Sequence, residues 1–70
     1  MTYGDTKYYR VKQITKGGHV VGIIELIGRT YGYIVQLHYF DSPGYKVNKC
    51  FESIHKAEAC FADTLKTEGL

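Results

Sequence analysis

Three histidines, two cysteines and one acid set among isoleucines are the residues whose chemistry could go beyond packing. Two histidines reach one metal when they stand two apart on a strand or four apart on a helix, spacings that turn both rings to one side. His19, His38 and His55 have neither spacing, which predicts no metal site. A nucleophilic cysteine needs a base beside it and an electropositive, part-exposed setting. Cys60 has Glu58 and Asp63 for neighbours, the wrong field, and Cys50, between Lys49 and Phe51, has a better field but no third group. Lying ten residues apart, they match neither a zinc pattern nor a redox Cys-x-x-Cys, so both read as reduced packing residues.

Glu25 stands alone in an apolar run, a setting in which a carboxyl can become an acid-base group, although a basic neighbour such as Arg10 or Lys12 on the same face would pair it. Gly17-Gly18 is not a phosphate loop, because no Lys-Ser/Thr follows and it links strands without opening a helix. A chain of 70 residues also has little material to wall a pocket. The expectation is a protein that is not an enzyme, with no catalytic residue, cofactor or small-molecule substrate.

The elements that would position these groups are read from periodicity. Thr6 to Ile14 alternates polar and apolar residues, as a half-buried strand does. Thr15 to Gly18 turns the chain, and His19 to Ile27 is apolar enough for the middle of a sheet. After a turn at Gly28-Arg29-Thr30 come a third strand, Tyr31 to Phe40, a Pro43-Gly44 turn of type II composition, and a fourth strand, Tyr45 to Phe51. Ser53 is the expected N-cap of a helix from Ile54 to about Lys66, whose apolar residues Ile54, Ala57, Phe61 and Leu65 form one stripe, with Gly69 to stop it. The fold class is therefore α+β, a four-stranded antiparallel meander with one C-terminal helix on one face (ββββα). It makes one domain over 1–70, with 1–5 and 67–70 expected to fray.

Strand parity divides the sheet. An even first loop and a two-residue loop at Arg29-Thr30 place Leu26 across from Tyr33 and Ile24 across from Val35. Tyr9, Val11, Gly22, Ile24, Leu26, Tyr33, Val35, Leu37, Tyr39, Tyr45, Val47 and Phe51 then face the helix. The opposite face receives Tyr8, Arg10, Lys12, Val21, Ile23, Glu25, Ile27, Ile34, Gln36, His38, Phe40, Lys46 and Asn48. One helix covers one side only, and an apolar patch rimmed by polar groups marks an interaction surface. The candidate partner-binding set is Tyr8, Arg10, Lys12, Ile23, Ile27, Ile34, Gln36, His38, Phe40, Lys46 and Asn48.

Composition narrows the class of partner. Apolar residues at 44% and charged residues at 23% are ordinary for a globular chain, while seven tyrosines without a tryptophan favour strands and half-wet surfaces. No apolar run is long enough to span a membrane and no signal peptide is visible, so a cytoplasmic location is expected, the host's if the chain is phage-encoded. Residues 1–49 hold seven bases and three acids, and residues 50–70 hold two bases and four acids, which makes the sheet basic and the helix acidic.

The segment Tyr33 to Leu65, strand, Asp/Pro/Gly turn, strand, Phe-x-Ser and an Ala-rich helix, resembles the amino-terminal arm-binding domain of phage-type tyrosine integrases. That resemblance implies a sheet on a C-terminal helix whose free face enters the major groove of DNA. Arg10, Lys12, Lys46, Gln36, His38 and Asn48 would then face DNA, with the lysines and the arginine on phosphates and Gln36 and Asn48 suited to adenine edges. Against DNA, however, Ile23 and Ile27 have little to contact beyond thymine methyls, whereas in a protein interface they are the expected centre. A protein partner or a second copy of the chain is thus read ahead of nucleic acid. The small size also resembles, in style, accessory proteins of phages and mobile elements that act as inhibitors or regulators.

Overall fold

The computed structural model describes residues 7–70. Thr6 and the fraying expected of 1–5 lie outside the described residues. Four strands, β1 (Lys7–Lys16), β2 (His19–Arg29), β3 (Gly32–Tyr39) and β4 (Val47–Phe51), precede one helix, α1 (Ile54–Thr67). The strands form one antiparallel sheet in the order β1-β2-β3-β4, and α1 lies across β2, β3 and β4. The architecture is the expected ββββα.

The turns follow from local chemistry. Gly17 and Gly18 have φ of 60° and 81°, the pair of positive values that a tight, correctly twisted hairpin requires, and Lys16 pairs with His19 directly across them. The second turn is at Thr30-Tyr31, since Arg29 still pairs with Gly32. Leu26 consequently faces Val35 and Ile24 faces Leu37, two residues away from the expected register. A slip of two leaves every side chain on its own face, which is why the expected faces of β2 and β3 survive it.

Ser53, extended at φ −117° and ψ 136°, accepts a hydrogen bond from the His55 backbone N–H at 3.1 Å and so caps α1. At the other end the Gly69 N–H donates to the Lys66 carbonyl and the Leu70 N–H to the Leu65 carbonyl, with Gly69 at φ +76°. This is a Schellman closure. It ties down residues in the stretch expected to fray from 67 onward.

Ala57 and Phe61 press onto Ile24, Leu26, Val35 and Leu37, all four fully buried, and Val21, Tyr33, Tyr39, Val47, Phe51, Cys60 and Leu65 pack around them. Removal of this apolar area from water is the main favourable contribution to folding in a chain of this size.

The first hairpin departs from uniform parity. An extra residue, Val21, bulges from β2 where Ile14 pairs with Gly22 and Thr15 with Val20. A second, Tyr9, bulges from β1 where Tyr8 pairs with Ile27 and Arg10 with Leu26. Each bulge inserts one residue, so the strand between them is turned over and then turned back. Ile14 enters the core at 4% exposure, while Val11, expected there, lies opposite Glu25 on the other face and is 51% exposed. Val21, expected outside, packs against the core.

Candidate partner-binding face

Side chains alternate across a pleated strand, so the residues between the core positions make up the helix-free face. Three cross-strand rows cover it: Tyr8, Ile27, Ile34 and Cys50; Val11, Glu25, Gln36 and Asn48; Gln13, Ile23 and His38. At one end the His38 ring meets the edges of Phe40 and Tyr45, with centroids 5.7 and 5.6 Å away. Such T-shaped contacts fix ring positions at the surface. Phe40 and Tyr45 remain 55% and 52% exposed, and Tyr8 at the far end 60%. Ile27 is only 2% exposed, so the rows around it present most of the apolar area.

The polar centre of the face is paired within itself. Gln36 Nε2 donates to Glu25 Oε1 at 3.1 Å. The expected cations, Arg10 and Lys12, do not pair with Glu25, because the two bulges carry both to the helix side. Arg10 stands opposite Leu26 and its guanidinium donates to Glu58 of α1 at 3.3 Å; Lys12 stands opposite Ile24.

Lys46 also leaves the helix-free face. It precedes β4, where its N–H donates to the Leu37 carbonyl, and its ammonium lies 3.0 Å from the Glu68 carboxylate and 5.6 Å from the Tyr39 ring centroid. Tyr39 itself donates to Glu68 Oε1 at 2.6 Å. The tyrosine proton and the ammonium hold the Glu68 carboxyl below its ordinary value, and the carboxylate in turn holds the Tyr39 phenol above its own. The cluster fastens the end of α1 to β3, and its ammonium offsets an acid at the negative end of the helix dipole.

Tyr8, Ile23, Ile27, Ile34, Gln36, His38 and Asn48 therefore share the helix-free face with Phe40 beside His38, and Arg10, Lys12 and Lys46 do not. Tyr45 belongs with the surface rather than the core, because the irregular chain between Tyr39 and β4 frees it from strand parity. Cys50 is exposed opposite Ile34 and is not the packing residue expected, whereas Cys60 does pack against the core. Sequence reasoning also missed Val11 and Gln13 on this face, since a bulge in β2 leaves no mark in the pattern of β1.

Among the described residues no group of three metal-ligating side chains converges and no helix is long and apolar enough to cross a membrane. A depression on α1 is lined by Ala59, Ala62, Asp63 and Lys66, without a histidine or cysteine. Comparison of the chain with protein-family models, curated proteins and solved structures finds no match.

Proposed function

We propose that the chain is a non-catalytic binding module that docks a protein, a second copy of itself included, on the helix-free face of its sheet. The observation that carries this reading is the line of exposed Tyr8, Val11, Phe40 and Tyr45 around the half-buried Ile23 and Ile34, with Gln13, Gln36 and Asn48 between and beside them. Aromatic and aliphatic anchors within a polar setting form the usual centre of a protein interface. A role as inhibitor or regulator in a phage or mobile element is compatible with this and rests on size and style alone.

The alternative, DNA in the major groove against the same face, loses support once Arg10, Lys12 and Lys46 are turned toward the helix. Phosphate contacts supply most of the affinity of such modules, and three of the cations expected to make them are directed elsewhere.

Sedimentation of the unaltered protein at high concentration should show a dimer, and Ile23→Asp should leave a monomer with unchanged far-UV circular dichroism. A monomer in the unaltered protein removes the self-association version. Duplex DNA binding that weakens steeply with salt and is lost in Ile23→Asp would replace the whole reading with the alternative.

A further inference from the structure

We infer that the free edge of β1, from Arg10 to Lys16, is a strand-addition site for an extended acidic peptide. Among the described residues β1 pairs with β2 alone, and α1 lies over β2, β3 and β4, so the outer edge of β1 is not covered by the helix. An uncovered edge offers backbone N–H and C=O groups that another strand can complete. The bulge at Tyr9 interrupts regular pairing toward Lys7, which sets Arg10 as one limit of the usable edge.

Charge selects the occupant. Four of the nine Lys and Arg residues of the chain, Lys7, Arg10, Lys12 and Lys16, fall in β1, which has no acid. Antiparallel pairing of β1 with β1 of a second copy would set these cations against one another, and like charges across a ladder destabilise it. The same cations attract a strand with carboxylates at alternate positions. Arg10 and Lys12, two apart on the helix side, match side chains about 6.6 Å apart on an added strand. The contact of Arg10 with Glu58 already shows a carboxylate accepted in this row. On the other side of the added strand an apolar residue would lie beside exposed Val11. Nucleic acid could use the cations but not the backbone edge, which places a peptide first.

This site adjoins the helix-free face at Val11, but it is argued from the strand's backbone edge and from cations on the helix side, and its test changes Lys12 and Lys16, which lie outside that face. A fluorescein-labelled peptide of alternating Glu and Val is titrated with the full chain by fluorescence anisotropy, beside a Lys/Val peptide of the same length. Saturable binding of the acidic peptide alone is expected, about tenfold or more weaker when salt rises from about 50 to about 300 mM. Amide shifts should concentrate in β1. Lys12→Glu/Lys16→Glu should reduce binding about tenfold or more, and the milder Lys12→Gln/Lys16→Gln covers the case in which charge reversal disturbs folding. Glu58→Gln, which releases Arg10, should tighten binding. Absence of saturable binding, binding undiminished in both double variants, or shifts confined to the helix-free face would overturn the inference. So would tighter binding of a single-stranded oligonucleotide, lost in the same variants.

Discussion

The two sides of this sheet use similar residues to different ends. Beneath α1, Ile24, Leu26, Val35 and Leu37 meet Ala57 and Phe61 and lose all contact with water. On the other side Ile27 is also buried, but Ile23 and Ile34 are only half-buried, and the aromatic residues beside them stay largely exposed. Hydrophobicity in the sequence is thus a poor guide to stability contribution here; what separates Phe61 from Phe40 is whether a second layer of the same chain covers the ring.

The sharpest way to break that contrast is truncation. Phe61→Ala should destabilise the fold by about 3–5 kcal/mol in urea unfolding, while Phe40→Ala should stay within about 0.5 kcal/mol. Similar losses at the two positions would mean that something covers the helix-free face in the folded monomer. Smaller effects come from two glycines of β2 that lie on the helix side of the sheet. A Cβ at Gly22 would lie 2.7 Å from the His38 backbone carbonyl oxygen, and one at Gly28 would lie 2.6 Å from a carbon of the exposed Tyr9 ring. Gly22→Ala should therefore destabilise by about 1–3 kcal/mol and Gly28→Ala by less, because a side chain can swing away where a ladder carbonyl cannot. Equal values in denaturant titration would show that the β2–β3 ladder at His38 yields as readily as the Tyr9 ring does.

The smallest expected effect concerns the latch that holds α1 to the sheet. Glu68 is held below its ordinary value of 4.5, so the stability it contributes is present above that pH and is lost as pH falls through the lowered folded value. Tyr39 is held above 10.0, so its share is present below that pH and disappears as pH rises through the raised value. Thermal melts should show the unaltered protein above Glu68→Gln at neutral pH and the difference closing on the acid side. A difference that persists undiminished into strong acid would assign the effect to packing instead of charge.

Much of this architecture is legible from residue order. The glycine pair at 17 and 18, Ser53 before a stripe at Ala57 and Phe61, and the apolar run of β2 each act over a few neighbours. Their outcome therefore depends little on the rest of the chain. Even the second turn, displaced by one residue and so shifting the register by two, leaves β2 and β3 with their expected faces. The turn expected at Pro43-Gly44 is instead closed earlier, by the Ser42 N–H on the Tyr39 carbonyl, with Gly44 at φ +75°.

The first strand and the chain before β4 are different. TKYYRVKQI alternates evenly, and both of its faces offer an apolar set: Tyr9 and Val11 on one, Tyr8 and Ile14 on the other. Its partner chooses between them. Bulges at Val21 and Tyr9 turn residues 10–14 over, so that Ile14 fills the core and Val11 does not, and carry Arg10 to Glu58. Lys46 likewise commits to Glu68, which is 22 residues away in sequence and adjacent only after α1 has packed. Residue order alone thus determined the four strands, the helix and the existence of a face that the helix leaves open. Which cations and aromatics belong to that face was decided by the tertiary structure, because a one-residue bulge inverts every side chain that follows it without altering the local pattern.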